Sequence, residues 1–142
     1  MPFRVVTISI FILLSLSAAA QTLFESVVKD AAFRASIGLT PDAGFVELSE
    51  GFTYYRMTKP DVCDTPDVLV HGFSVPSYIW EPTYDFLESK DRCVIMMDLY
   101  GRGFSDNPDV AYTDHLFATQ VLELLDALGI GRASFFGLSN GG

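Results

Sequence analysis

The sequence predicts an α/β fold with a mostly parallel sheet and an N-terminal hairpin. Three short apolar runs, at 68–70, 93–97 and 133–136, alternate with two stretches of helical pattern. Apolar runs of this length are typical of strands covered on both faces, and strands that alternate with helices form parallel sheets through right-handed crossovers. The length of 142 residues, with 49% hydrophobic and 19% charged residues, is that of one globular domain and argues against disorder.

The first 20 residues, MPFRVVTISIFILLSLSAAA, have the pattern of a signal peptide. Arg4 precedes an apolar run at 5–16, and Ala18 and Ala20 fit a cleavage site before Gln21. The run is shorter than the roughly 20 apolar residues needed to span a bilayer. We therefore expect a secreted or extracytoplasmic protein, with an uncleaved membrane anchor as the alternative.

Residues 21–44 are predicted to form a helix and a linker ahead of the main domain. A capping-box pattern at 22–25 begins the helix, which we expect to end near Ile37 because Gly38 follows.

The main domain, 45–142, is predicted to open with a hairpin and to continue as strand, helix, strand, helix, strand. In chain order, the expected strands are 45–48, 52–57, 68–70, 93–97 and 133–136, and the expected helices are 78–90 and 114–128. Pro82 then has to lie in the first turn of the first helix, and Gly129 ends the second. The second helix has one apolar face, formed by Phe117, Val121, Leu124, Leu125 and Leu128.

Cys63 lies just before the predicted strand at 68–70, and Cys93 opens the next predicted strand at 93–97. If these strands are parallel neighbours, both cysteines lie at the same end of the sheet, and disulfides persist in exported proteins. We favour a disulfide, which would close a loop of roughly 30 residues and contribute about 3–4 kcal/mol in the chain-entropy model. Two inert thiols are the alternative. Two cysteines and a distant histidine have no metal-ligand spacing, so we expect no metal site.

The stretch FFGLSNGG at 135–142 contains the G-x-S-x-G pattern, with Ser139 at its centre. Gly137 and Gly141 are the small residues that a tight strand-to-helix turn requires, and a predicted strand leads directly into Gly137. This pattern favours a nucleophilic serine. A structural glycine turn is the alternative.

The run His71, Gly72, Phe73 ends an earlier strand, where a serine hydrolase needs a second oxyanion donor. We expect the backbone N–H groups of Phe73 and Asn140 to form the pair. His71 is expected to fix the loop rather than to act as a base. The other histidine, His115, is expected to be a surface or capping residue.

The segments "VLVHGFSVPSYIW", "VIMMDLYGRGFSD" and "SFFGLSNGG" together resemble the α/β-hydrolase fold family, from about residue 45 to the end. The resemblance implies that Ser139 is the nucleophile and that Phe73 and Asn140 provide the oxyanion amides, with His71 and Gly72 holding the loop.

The same resemblance implies that a turn after the fourth strand is structural, so that its aspartate is not the triad acid. The residues of this turn are Asp98, Gly101, Gly103 and Ser105.

Serine at position 139 disfavours family members with an aspartate nucleophile, such as haloalkane dehalogenases and epoxide hydrolases. The expected activity is hydrolysis of carboxylic esters or lipids through an acyl-enzyme. In this family the triad acid and histidine follow the serine, so we expect an N-terminal fragment, truncated after the nucleophile turn, with at most trace activity alone. The alternative is a non-catalytic pseudo-hydrolase or binding module of the same fold.

The expected partner is a small-molecule ester or lipid, and transient contact with a membrane stays open. The net charge of −9 disfavours nucleic acid as a partner. We expect no cofactor.

Overall fold

The computed structural model describes residues 31–36, 41–59 and 63–142. The predicted signal peptide and most of the predicted N-terminal helix lie outside these residues. Helix α1 spans Ala31–Ser36, within the predicted range. It belongs to a unit formed by residues 1–37, and residues 38–142 form a second unit.

The second unit contains the predicted succession of strands and helices. The strands are β1 (Ala43–Leu48), β2 (Gly51–Met57), β3 (Asp67–Val70), β4 (Val94–Met97) and β5 (Ser134–Gly137), and the helices are α2 (Glu81–Ser89) and α3 (Asp114–Ala127). Short 3-10 helices span Ser77–Trp80 and Ser139–Gly141. The helix predicted at 78–90 thus begins with a 3-10 turn, and Pro82 lies in the first turn of α2. Gly129 follows the end of α3 with a φ of 70°, which is a conformation that favours glycine.

The five strands form one sheet in the order β1, β2, β4, β3, β5. Strand β3 pairs in parallel with β4 and with β5, and the hairpin of β1 and β2 is attached to β4 by antiparallel pairing of β2. Only β2 therefore runs against the other four strands, which confirms the mostly parallel sheet. The turns that follow β3, β4 and β5 meet at one end of the sheet, at the carboxyl ends of these parallel strands. Ligands bind at this end in folds of this class.

Strands β3 and β4 are buried on both faces, as their apolar sequences predict. Because side chains alternate across a strand, Val68 and Ile95 pack with α3 on one face, whereas Leu69 and Met96 pack with Tyr84 of α2 on the other. The two helices thus cover opposite faces of the sheet. The candidate site lies at the carboxyl ends of the parallel strands.

The prediction that the last strand is buried is wrong. All residues of β5 are exposed, with Phe135 54% and Phe136 44% accessible. Strand β5 lies at the edge of the sheet and pairs with β3 on one side only. Its apolar side chains therefore stay uncovered by the described part of the chain.

The structure joins Cys63 and Cys93 in a disulfide, with Cα atoms 5.8 Å apart. Cys93 directly precedes β4, so the bridge lies at the amino ends of the parallel strands, away from the turn at Ser139. In the described ranges we find no helix of the length and hydropathy that a membrane span requires.

Candidate active site

Ser139 lies where β5 passes into the last 3-10 helix, and it is exposed at the carboxyl end of this strand. Its φ of 55° is in the left-handed region, which a residue other than glycine seldom adopts. Such strain is retained mainly at functional positions. A sharp strand-to-helix turn with a strained, exposed serine is the geometry of a nucleophile elbow.

Gly137 and Gly141 bring the elbow close to the neighbouring backbone. A Cβ atom at Gly137 would overlap the carbonyl group of Gly141. At Gly141, a Cβ atom would lie 2.7 Å from the carbonyl oxygen of His71 and 2.8 Å from the carbonyl carbon of Val70. Both positions therefore exclude any side chain, which explains the spacing of small residues around Ser139.

The loop after β3 lies directly against the serine. A Cβ atom at Gly72 would be 2.9 Å from Cβ of Ser139 and 3.5 Å from its Oγ. The N–H of Leu138 donates to the carbonyl oxygen of Val70 at 3.1 Å, which ties the elbow to the end of β3. The structure thus brings together the two motifs that the sequence places some 65 residues apart.

His71 is fully buried, and both of its ring nitrogens are bonded within this loop. Nδ1 donates to the carbonyl oxygen of Gly72 at 2.6 Å, and Nε2 accepts from the N–H of Leu99 at 2.9 Å. Because a backbone N–H can only donate, Nε2 has to be the unprotonated nitrogen. Burial lowers the pKa of His71, although its bond to Gly72 opposes this effect, so the ring is neutral. No ring nitrogen of His71 is free to serve Ser139 as a base.

The bond from His71 also orients the N–H of Phe73. The carbonyl of Gly72 and the N–H of Phe73 belong to one planar trans peptide, so the two groups point in opposite directions. Among the described residues, the N–H groups of Phe73 and Asn140 donate no hydrogen bond. The two N–H groups that the sequence predicts as oxyanion donors are therefore both unpaired within the described part of the chain.

Asp98 is buried in the turn after β4, and each of its carboxylate oxygens accepts a backbone donor. Its Oδ1 accepts from the N–H of Ser77 and its Oδ2 from the N–H of Phe104, each at 2.8 Å. The hydroxyl of Ser105 donates to the carbonyl oxygen of Asp98 at 2.5 Å. Gly103 has a φ of 52°, and a Cβ there would overlap the carboxylate. These contacts tie Asp98 to the backbone of its own turn and to Ser77.

Gln120 is buried at the same turn, although no motif in the sequence predicts it as a site residue. Its amide oxygen accepts from the N–H of Tyr100 at 2.9 Å, and its nitrogen donates to the carbonyl oxygen of Asp98 at 3.1 Å. A signal was present, because Gln120 lies three residues after Phe117 and four before Leu124 on the apolar face of α3.

His115 lies exposed in the first turn of α3, and Thr113 caps this helix by accepting from the N–H of Leu116 at 3.2 Å. Of the two roles expected for His115, the surface role is the one that its position supports. No cluster of potential metal ligands occurs within the described ranges.

The model of the alpha/beta hydrolase family matches residues 68–142, which include the loop after β3, the turn after β4 and the turn at Ser139. The chain belongs to the alpha/beta hydrolase family. Among curated proteins, the 2-hydroxymuconate semialdehyde hydrolase of Pseudomonas putida is 35% identical over 107 residues, which are 72% of this chain and 37% of that protein.

Solved structures of alpha/beta hydrolases superimpose on the chain. A hydrolase from Pseudomonas aeruginosa PA01 has a TM-score of 0.64 and 30% identity, over 72% of this chain and 38% of that one. The enol-lactonase of Burkholderia xenovorans has a TM-score of 0.61 and 31% identity, over 68% and 37%. Epoxide hydrolase A of Mycobacterium thermoresistibile has a TM-score of 0.65 and 28% identity, over 72% and 32%. The chain spans well under half the length of each of these relatives.

Proposed function

We propose that this chain supplies the nucleophile and the oxyanion hole of a serine hydrolase that cleaves carboxylic esters or lipids. The observation that carries the proposal is the close approach of Gly72 to the strained, exposed Ser139. Phe73 follows Gly72 and Asn140 follows Ser139, so this approach supports a pairing of their N–H groups at the serine hydroxyl.

In the proposed reaction, Oγ of Ser139 attacks the carbonyl carbon of the ester and loses its proton to a general base. The carbonyl oxygen becomes an oxyanion and accepts hydrogen bonds from Phe73 and Asn140. Collapse of the tetrahedral intermediate expels the alcohol, which takes up the proton from the base, and leaves an acyl group on Ser139. Water then attacks the acyl-enzyme and releases the acid.

The base and the orienting acid are assigned to a part of the protein outside these residues. His71 has no free ring nitrogen, and His115 lies at the exposed start of α3. In this family the acid and the histidine follow the nucleophile along the chain. The relatives extend well beyond the matched region, and we assign both roles to that region of a longer gene product.

Serine at position 139 favours acyl transfer over the alkyl transfer that an aspartate nucleophile performs. The enol-lactonase, which is 31% identical, is named for cleavage of a cyclic ester, and this is the bond class proposed here. The alternative, a non-catalytic module of the same fold, gives no reason for the positive φ of Ser139 or for the unpaired N–H groups beside it.

A fluorophosphonate probe tests the proposal on the natural gene product that contains residues 1–142. Wild type is expected to be labelled, and Ser139→Ala is expected to remain unlabelled. Ser134→Ala, which changes an exposed serine on β5, is the matched control and should label like wild type. Equal labelling of Ser139→Ala and wild type would exclude Ser139 as the nucleophile, and an unlabelled wild type would favour the non-catalytic alternative.

A further inference from the structure

Arg102 is a half-buried cation in the turn after β4, next to the loop that carries the oxyanion donor. It lies between Gly101, with a φ of 77°, and Gly103, with a φ of 52°. Both φ values are in the left-handed region, which glycine adopts readily, so the two glycines allow the tight turn that carries Arg102. Neither the predicted motif nor the proposed reaction uses this side chain.

The guanidinium group contacts Phe73 in two ways. Its Nε donates to the carbonyl oxygen of Phe73 at 3.2 Å, and its Cζ lies 4.4 Å from the centre of the Phe73 ring. Its Nη1 donates to the carbonyl oxygen of Tyr100 at 3.1 Å, which anchors the same group to its own turn. The planar guanidinium can stack on a ring while donating in its own plane, a combination that lysine lacks.

Two further aromatic rings complete the surroundings of Arg102. The centre of the Phe117 ring lies 5.5 Å from Cζ and that of the Tyr112 ring 5.8 Å. A Cβ atom at Gly101 would lie 2.8 Å from Cε1 of Tyr112, so glycine at 101 permits this close packing.

Arg102 differs from the other arginines whose contacts the structure describes. Arg56 pairs with Asp42, and Arg92 pairs with Asp67. Arg102 pairs with no carboxylate among the described residues, and its partners are carbonyl oxygens and rings. Its charge therefore remains available to a region in which negative charge is proposed to develop.

We infer that Arg102 is a positioning residue for the oxyanion hole and acts by holding Phe73. His71 fixes the peptide on the amino side of Phe73, through the carbonyl of Gly72. On the carboxyl side, Arg102 holds the carbonyl oxygen of Phe73, and it also packs against the Phe73 ring. Phe73 is thus held on both sides, which restricts the orientation of its N–H. This inference rests on the proposed serine-hydrolase function.

The test compares kcat and KM for p-nitrophenyl acetate in variants of the natural gene product. A displacement of about 1 Å at a reacting centre can cost about a hundredfold in rate, so Arg102→Ala is expected to lower kcat by about ten- to a hundredfold. KM should change little, because the hole acts mainly in the transition state. Arg102→Lys, which keeps the charge but loses the planar fork, should have an intermediate kcat.

Affinity for a trifluoromethyl ketone gives a readout that a purely structural role would not move. Its adduct with the serine carries an oxyanion, so its inhibition constant should rise in Arg102→Ala by the same factor as kcat falls. Arg132→Ala is the control, because Arg132 is exposed and forms no hydrogen bond or ion pair with the described residues. It should match wild type in both measurements.

A double variant tests the route through Phe73. If Arg102 acts by holding the ring, Phe73→Leu combined with Arg102→Ala should lose no more activity than the worse single variant, because interacting residues are not additive. If Arg102→Ala fails to fold, Arg102→Lys and Phe73→Leu answer the same question. Wild-type kcat and ketone affinity in folded Arg102→Ala would overturn the inference alone. A wild type that neither hydrolyses the ester nor reacts with a fluorophosphonate would overturn the proposed function, and the inference with it.

Discussion

Gly72 and Ser139 approach so closely across the ends of two adjacent parallel strands, β3 and β5, that no side chain fits between them. A methyl group at Gly72 would be 2.9 Å from Cβ of Ser139 and 2.9 Å from the carbonyl oxygen of Leu138. The backbone on both sides is held by hydrogen bonds, so a side chain at 72 has to displace either the serine or the loop after β3.

Gly72→Ala is therefore expected to impair catalysis. A misplacement of about 1 Å near the reacting atoms costs about a hundredfold, which we expect as the loss in kcat for ester hydrolysis by the natural gene product. Gly131→Ala is the matched control, because no atom lies within 4 Å of a Cβ at Gly131. Wild-type kcat in Gly72→Ala, with correct folding shown by circular dichroism, would contradict the close contact.

Asp98→Asn is expected to reduce stability without abolishing catalysis. Both carboxylate oxygens accept a backbone N–H, and an asparagine amide would direct its NH₂ group at one of these donors. Loss of a hydrogen bond to a charged group costs about 1.5–3 kcal/mol, to be measured as the free energy of unfolding in urea. Asp109→Asn, an exposed change in the same loop, should cost little.

The kcat of folded Asp98→Asn separates a structural role from a chemical one. We expect a value within a few-fold of wild type, because the turn orients the loop after β3 only indirectly. A loss of about 10⁴-fold, as removal of a triad acid causes, together with unchanged stability, would assign Asp98 to the chemistry.

His71 makes the stability of the protein depend on pH. Burial lowers the pKa of His71 below its usual 6.5 in the folded protein, whereas the unfolded chain retains the usual value. As pH falls through about 6.5, the unfolded chain binds a proton that the folded protein does not, so the free energy of unfolding decreases. The contribution of neutral His71 is fully present above about pH 6.5 and is lost between this pH and the lowered pKa.

Urea unfolding across this pH window measures the effect. The decrease in the free energy of unfolding should be smaller in His71→Gln than in wild type, and unchanged in His115→Gln, which alters an exposed histidine. Equal pH dependence in His71→Gln and wild type would show that the buried ring does not carry it.

The disulfide is expected to stabilise the fold and to leave the chemistry unaffected. Cys63 and Cys93 are 30 residues apart, and in the chain-entropy model a loop of this length contributes about 3–4 kcal/mol. Cys63→Ser should lower the free energy of unfolding by this amount and make it insensitive to dithiothreitol. Its kcat should match that of wild type, because the bridge lies at the other end of the strands from Ser139. Unchanged stability in Cys63→Ser would mean that the thiols are unpaired.

Much of the fold could be predicted because it depends on local patterns. The apolar runs of β3 and β4 predict strands buried on both faces, and Gly129 predicts the end of α3. The apolar run at 133–136 predicts a buried strand, but burial also depends on what covers the strand after folding, and the structure leaves Phe135 and Phe136 uncovered.

The motifs of the site could be predicted, but the contacts that hold them could not. Ser139 and Gly72 stand in recognisable patterns, whereas the bond from Ser77 to Asp98 joins residues 21 positions apart and starts the 3-10 turn before α2. The position of Arg102 over Phe73 depends likewise on how two turns meet after folding. No local spacing in the sequence encodes such contacts.

A crystal structure of the natural gene product after reaction with a fluorophosphonate tests the oxyanion hole most directly. The phosphorus should be bonded to Oγ of Ser139, with one phosphonyl oxygen about 2.7–3.1 Å from the backbone nitrogens of both Phe73 and Asn140. An adduct on another residue, or an oxygen that contacts neither nitrogen, would contradict the assignment of this elbow and loop as the catalytic centre.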